Sequence, residues 1–239
     1  MNWRSCVTIS LVDTVFSKRF KVMSVMRRID TLEDVDEGLT ALLRAHPELA
    51  TVAERAGPLP LRRSEPGFES LASVIVSQQV SKASAASIWG RLTGLVDPLT
   101  PENYLAAGED AWRGAGLSRA KQATLARISE AIIAGDLDLF DLCERPIDQA
   151  MELMTRVKGI GPWTAEVYLL FSAGHADVFP SGDVALQHAY AHAYRESVRP
   201  DSKALQRLAE RWSPWRGVAA RLFWAYYAAT RGRDGTPIA

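Results

Sequence analysis

Read as a pattern of apolar and polar positions, the chain is a succession of helices. Thr31 and Asp34 start the first, which runs through Ala45 with Leu39, Leu42 and Leu43 on its apolar face. A Pro-rich loop from Gly57 to Pro66 separates it from a long helix over about Phe68 to Leu92. Ser77-Gln78-Gln79-Val80-Ser81 sits in the middle of that helix or interrupts it, a polar run inside an otherwise apolar, Ala-rich pattern. Pro98 and Pro101 punctuate the chain before short helices near Pro101–Ala107 and Asp110–Gly114. Ser118 then caps a helix through Ala134. Arg145-Pro146 opens another, which ends in the turn Gly159-Ile160-Gly161-Pro162 before a further helix from Trp163. Asp201 or Ser202 caps a helix to Trp212, Pro214 breaks it, and Trp215–Thr230 forms the last. No β-alternation of useful length interrupts this series, so the predicted class is all-α, without internal repeats.

Residues 1–25 read differently. They are short of acids and lack helical spacing, and Lys18, Arg19 and Lys21 lie on the wrong side for a secretory signal. A disordered extension, or a start assigned too early, is the expectation there. Residues 26–239 then form the working domain.

Composition narrows the class. Hydrophobic residues make up 47% and charged residues 23%, ordinary for a water-soluble globular chain. The 28 basic and 28 acidic side chains balance, which counts against binding nucleic acid through net charge alone. Charge is unevenly spread, however: the stretch from Asp30 to Glu69 is acid-rich, while Arg195, Arg199, Lys203, Arg207, Arg211, Arg216 and Arg221 crowd the C-terminal part. Two cysteines, Cys6 and Cys143, exclude a disulfide framework, a four-Cys zinc site and a four-Cys iron–sulfur cluster. A reducing, cytoplasmic compartment is the default for such a chain. No run of about 18 apolar residues suggests a membrane span. His188 and His192 are four apart on one helical face, a spacing that suits zinc, but no third ligand accompanies them.

The chemistry concentrates between Leu153 and Gln187. Gly159 and Gly161 allow positive φ and close backbone approach, and Pro162 suits the first turn of a helix. Backbone N–H groups of such a turn, with the following helix dipole, form an anion site. Lys158 adds charge beside it. Twenty residues after Trp163, Asp183 closes the tight Phe179-Pro180-Ser181-Gly182 loop at the start of the next helix. Asp suits an N-cap there, and the same carboxylate can serve chemistry. A phosphate grip at fixed distance from a constrained Asp points to a reaction on a nucleic acid. Ser118, Arg119 and Lys121, at a second Gly-rich helix start, are candidates for a phosphate contact or for a solvated surface.

The pattern L-x-x-x-x-G-I-G-P-W-T-A followed by V-F-P-x-G-D resembles the helix-hairpin-helix DNA glycosylases, and within them the 3-methyladenine DNA glycosylase II branch. The resemblance covers roughly Met26 to Arg231. It implies a two-lobed helical fold with the active site in the interlobe cleft, in the compact form without an N-terminal β domain. Asp183 is implied as the catalytic carboxylate, since cleaving an N-glycosidic bond builds positive charge on the sugar. Trp163 stands where strand-cutting relatives carry a Schiff-base lysine, which implies that water is the nucleophile. The residue matching Trp224 faces the flipped base, where an indole can select a cationic alkylpurine. Gln79 matches the intercalating wedge, with Gln78 beside it at the minor groove. Carbonyls of Thr155, Val157 and Gly159 would hold a Na+ or K+ ion; no other cofactor is implied. Val167 and Val184 depart from a bacterial relative that has tyrosines there, so pocket shape and substrate range can differ.

The expected function is therefore hydrolytic excision of alkylated purines, of the 3-methyladenine and 7-methylguanine type, from duplex DNA by a monomeric enzyme in base excision repair. Two rivals stay open: a glycosylase for oxidised or deaminated bases, and a DNA-binding module without catalysis.

Overall fold

The structure, a computed structural model, describes residues 27–232. The expectations for residues 1–25 therefore lie outside the described residues. Among those described, the regular elements are all helical, and the single β-bridge joins Arg28 to His175.

Helix α1 spans Leu32–Ala45 and begins as its sequence dictates. The Thr31 hydroxyl accepts from the Asp34 amide at 3.2 Å, and the Asp34 carboxylate accepts from the Thr31 amide at 2.8 Å. Helix α2 (Ala50–Ala56) follows a short 3-10 turn. The predicted long helix is in fact two, α3 (Phe68–Ser77) and α4 (Lys82–Leu95). The polar run between them is a turn: Gln78 adopts an extended conformation and Gln79 a left-handed one, with φ of 56°. Ser81 then caps α4 by accepting from the Ser84 amide. The two short helices expected after Pro101 form one element, α5 (Pro101–Ala115), kinked at Gly108.

Ser118 caps α6 (Arg119–Ile133), and α7 (Ile147–Arg156) leads into the turn before α8 (Pro162–Phe171). Helix α9 is Val184–Ala193, α10 is Ser202–Ala209, and α11 is Arg216–Arg231. Asp201 caps α10, which ends three residues short of Trp212 in a 3-10 turn.

Two lobes result. Helices α3 to α8 pack on one another, with α5 between α4 and α6, α7 on α8, and α3 against α4, α6 and α8. The other lobe brings the two ends of the described chain together, since α11 packs on α1, α2 and α9. One continuous core runs through both, including Leu71, Ile75, Leu125, Leu169, Phe171, Leu186, Trp212 and Phe223. Trp212 and Trp215 are core residues, 1% and 7% exposed. The lobes are locked where α8 meets α11: a Cβ on Gly217 would sit 2.6 Å from a Leu170 methyl, so only glycine permits this approach.

Candidate active site

Asp183 lies where the lobes meet. The loop before it is fixed by its own backbone: the Ser181 amide donates to the Phe179 carbonyl at 2.7 Å and the Asp183 amide to the Pro180 carbonyl at 2.9 Å. The Gln187 side-chain amide donates to the Ser181 carbonyl at 3.0 Å. Asp183 is the N-cap of α9, and its Oδ1 accepts from the Ala185 and Leu186 amides at 2.9 and 3.0 Å. Two indoles complete the set. Trp224, on α11, donates Nε1–H to Oδ1 at 3.2 Å; Trp163, on α8 of the other lobe, donates to Oδ2 at 3.0 Å.

The carboxylate is thus 7% exposed and held by four N–H donors. Burial raises its pKa above the ordinary Asp value, and the four hydrogen bonds pull it partway back. The N-terminal end of the α9 dipole also favours its charged form. Trp224 is 1% exposed, with one face stacked on Phe171 at 5.6 Å between ring centroids. It lines a cavity of about 350 Å³ between α2 and α11, with Ala56, Pro60, Arg221 and Ala225.

Asp177, the nearest other carboxylate in sequence, is committed elsewhere. It accepts a forked pair from Arg216 at 2.7 and 3.0 Å and a further bond from Ser213 at 2.8 Å. A second acid on α8, Glu166, is half-buried, and burial pushes its carboxyl up to about 8 while Arg216 draws it down.

The turn between α7 and α8 is the hairpin. Gly159 has φ of 109°, and a Cβ there would meet Thr124 of α6, 2.8 Å from Cγ2 and 3.0 Å from Cβ. Both conformation and packing demand glycine. Gly161 differs: its φ is −87° and a Cβ would meet nothing within 4 Å. Ile160 is buried and anchors the turn, while Lys158 and Gly159 face solvent. Arg127, on α6, braces the turn by donating Nε–H to the Lys158 carbonyl at 2.7 Å.

The turn between α3 and α4 presents Gln79, which is exposed. Gln78 is only half-buried, and its side-chain amide donates to the Thr164 hydroxyl at 2.8 Å, one residue past Trp163.

Residues 72–214, more than half of the chain, match the HhH-GPD superfamily of base excision DNA repair proteins. The chain belongs to that superfamily. A DNA-3-methyladenine glycosylase 1 from Schizosaccharomyces pombe is 28% identical over 208 residues, covering 81% of this chain and 91% of the relative. The crystal structure of a DNA-3-methyladenine glycosidase from Bacillus halodurans superposes with a TM-score of 0.70 at 29% identity, covering 88% and 95% of the two chains. A 3-methyladenine DNA glycosylase of Schizosaccharomyces pombe in complex with abasic DNA gives 0.72 at 25% identity, covering 84% and 98%.

The matched region contains the hairpin, Asp183, Gln78, Gln79 and Trp163, and ends before Trp224. In the structure Trp163 and Trp224 each donate to Asp183, and Gln78 is held by Thr164, the residue next to Trp163 in sequence. Sequence reasoning gave Trp163 and Trp224 aromatic roles and missed that both indole N–H groups converge on the carboxylate. It also missed Thr164, Arg127 and the true place of Lys121. That ammonium donates to the Val76 and Gln78 carbonyls, both at 2.8 Å, at the C-terminal end of α3. His188 and His192 line a separate groove of about 690 Å³ that Asp183 and the two indoles do not line. Among the described residues no group of three or more His, Cys, Asp or Glu could hold a metal ion, and no helix is long and apolar enough to cross a membrane.

Proposed function

We propose that this protein is a monofunctional DNA glycosylase that excises alkylated purines from duplex DNA and leaves an abasic site. The observation that carries the proposal is the Asp183 carboxylate, buried between two lobes and aimed by four N–H donors. As the base departs, positive charge grows on the deoxyribose, and a fixed carboxylate in a water-poor site stabilises it without reorganising. The same group can orient the attacking water. A nucleophilic lysine has no place here: Trp163 occupies the position of the lysine in strand-cutting relatives, and no lysine lies between Lys158 and Lys203.

Gly161, with open space over its Cα and an exposed neighbour in Lys158, supports the hairpin as the phosphate grip. Among turn and cap bonds of the described residues, the Thr155 and Gly159 carbonyls accept none, and that of Val157 accepts one, from Ile160. Those oxygens suit a Na+ or K+ ion beside the phosphate, held by Thr155, Val157 and Gly159. The electron-rich indole of Trp224, held on the carboxylate at 3.2 Å, supports preference for a cationic base, an attraction of roughly 0.5–2 kcal/mol. The names and the DNA complex of the relatives support the same substrate class. DNA as substrate and the free, buried thiol of Cys143 support work inside the cell, at the nucleoid or its equivalent.

A lesion panel tests the reading. Methylated DNA should release 3-methyladenine and 7-methylguanine, scored by chromatography of the free bases. Release of oxidised or deaminated bases in place of alkylated ones would overturn the specificity. Borohydride should trap no covalent adduct with DNA, and a trapped adduct rejects the monofunctional mechanism.

A further inference from the structure

The turn that presents Gln79 contains neither glycine nor proline, yet it holds a left-handed residue. An L-residue with Cβ at positive φ is strained and persists only where its surroundings over-determine it. Two long-range ties do so here. One is the Gln78 amide on the Thr164 hydroxyl. The other comes from Lys121 on α6, whose Nζ donates at 2.8 Å to the carbonyls of Val76 and Gln78. The Val76 oxygen belongs to the last turn of α3 and the Gln78 oxygen to its C-cap, where helix carbonyls lack partners and the dipole favours a cation.

The Lys121 end of this tie is itself rigid. Ser118 caps α6, and the Gln122 side-chain amide donates to the Leu117 carbonyl at 2.7 Å. The Tyr104 hydroxyl donates to the Gln122 carbonyl at 3.3 Å. Burial lowers the pKa of the ammonium, so holding it charged at this spot is unfavourable taken alone and is offset by the two carbonyls. Gln79, directly after the clamped Gln78 carbonyl, is left exposed.

We infer that Lys121 is a positioning residue for base extrusion: it clamps the end of α3 so that Gln79 is presented in one conformation, ready to fill the gap left by a flipped nucleotide. This rests on the glycosylase reading above. It predicts a defect confined to paired DNA, because a base that is already unstacked needs no wedge.

The substitution Lys121→Met keeps the aliphatic stem and removes the donors. On an oligonucleotide carrying one 7-methylguanine, single-turnover release is measured with the strand annealed and with it single. The ratio of annealed to single-strand rates should fall by roughly tenfold or more in K121M, with Q79A showing the same signature. The double variant should be no more than about threefold below Q79A, since the two residues act through one step. Lys121→Arg, which restores a cationic donor, should recover part of the ratio. An unchanged ratio in K121M, or additive losses in the double variant, overturns the inference.

A second measurement is independent of the chemistry. Amide hydrogen exchange at Gln78–Ser81 should quicken by about tenfold or more in K121M while α8 exchanges as before. Unchanged exchange also overturns it. If K121M is too unstable to purify, Lys121→Gln carries the same comparisons, with K121R again the partial rescue. A wild-type protein that releases no base from either strand form would reject the glycosylase reading, and the exchange experiment would still decide whether Lys121 sets the loop.

Discussion

Two turns flank the buried carboxylate, and they are built on opposite principles. The hairpin between α7 and α8 carries its instructions locally. Gly159 supplies φ of 109°, Pro162 starts the next helix, and Ile160 plugs the core beneath. The turn between α3 and α4 has no such residues, and its shape is imposed from α6 by Lys121 and from α8 by Thr164. The hairpin takes a brace from α6, Arg127 on the Lys158 carbonyl, but its own residues set most of its shape. A turn determined by distant contacts couples to whatever moves its partners, which suits an element that must enter a duplex.

The largest test removes the chemistry and leaves both turns in place. Asp183→Asn keeps an N-cap acceptor, so α9 should form normally. Base release under single-turnover conditions should fall by at least about 10³-fold, in line with losing a main electrostatic contact in a water-poor site. Affinity for an abasic-site duplex should stay within about threefold, because the phosphate contacts are untouched. Retained excision by this variant would remove Asp183 from its role. Two effects oppose one another in its stability: the Asn amide nitrogen leaves the Trp163 N–H without its acceptor, and the buried charge is removed. The folded pKa of Asp183 lies above its unfolded value. The stability it contributes is therefore present at low pH and lost as pH rises through the folded pKa. A side chain neutral at every pH escapes that loss.

Next come the two hairpin glycines, which the geometry separates. Gly159→Ala meets Thr124 and a disfavoured φ together, and should destabilise the protein by about 2–4 kcal/mol in denaturant melts. Thr124→Ala should relieve the steric part of that loss. Gly161→Ala meets open space at ordinary φ and should melt within about 1 kcal/mol of the wild type. Its defect should appear on DNA instead, as weaker binding with a shallower dependence on salt. Normal DNA affinity in Gly161→Ala would detach the hairpin from the phosphate.

Gln79→Ala is smaller again. The side chain is exposed, so stability should change by less than about 0.5 kcal/mol. Release of a paired base should slow by roughly tenfold, with single-strand release the reference. Equal losses on both strand forms would mean that Gln79 is not a wedge.

What the sequence disclosed follows the same division. Helix starts written in local chemistry, such as the Thr31–Asp34 box, Ser118 and Asp201, stand where the pattern puts them. The break after Ser77 was visible only as an oddity, because neither Gln78 nor Gln79 is a helix breaker and the contacts that end α3 are 43 and 86 residues away in sequence. Asp183 could be singled out because its Pro-Ser-Gly loop constrains it locally. The two indole hydrogen bonds could not, since Trp224 arrives from a helix 41 residues on and aromatic spacing says nothing about where an N–H points. Lys121 in the sequence suits a phosphate contact or a solvated surface equally, and only the packing of α6 on α3 turns its ammonium inward.

Those indoles give the smallest and most specific effect. Trp163 and Trp224 each lower the raised pKa of Asp183 by donating to it, against the burial that dominates. Replacing either by Phe keeps an aromatic ring and removes one donor, so burial then acts with less opposition and the carboxyl pKa rises further. Catalysis needs the ionised form. The acid limb of the single-turnover pH profile should therefore move to higher pH in Trp163→Phe and in Trp224→Phe, and at neutral pH the rate should fall by less than about tenfold. The two differ in kind. Trp163 comes from the lobe that carries both turns and adjoins in sequence the Thr164 that holds Gln78, so the ratio of paired to single-strand release should drop. Trp224 comes from the other lobe and should leave that ratio alone. A pH limb that stays put in both variants would mean that the indoles shape the pocket without tuning the acid. A ratio that falls equally in both would mean that the wedge is not wired through α8 at all.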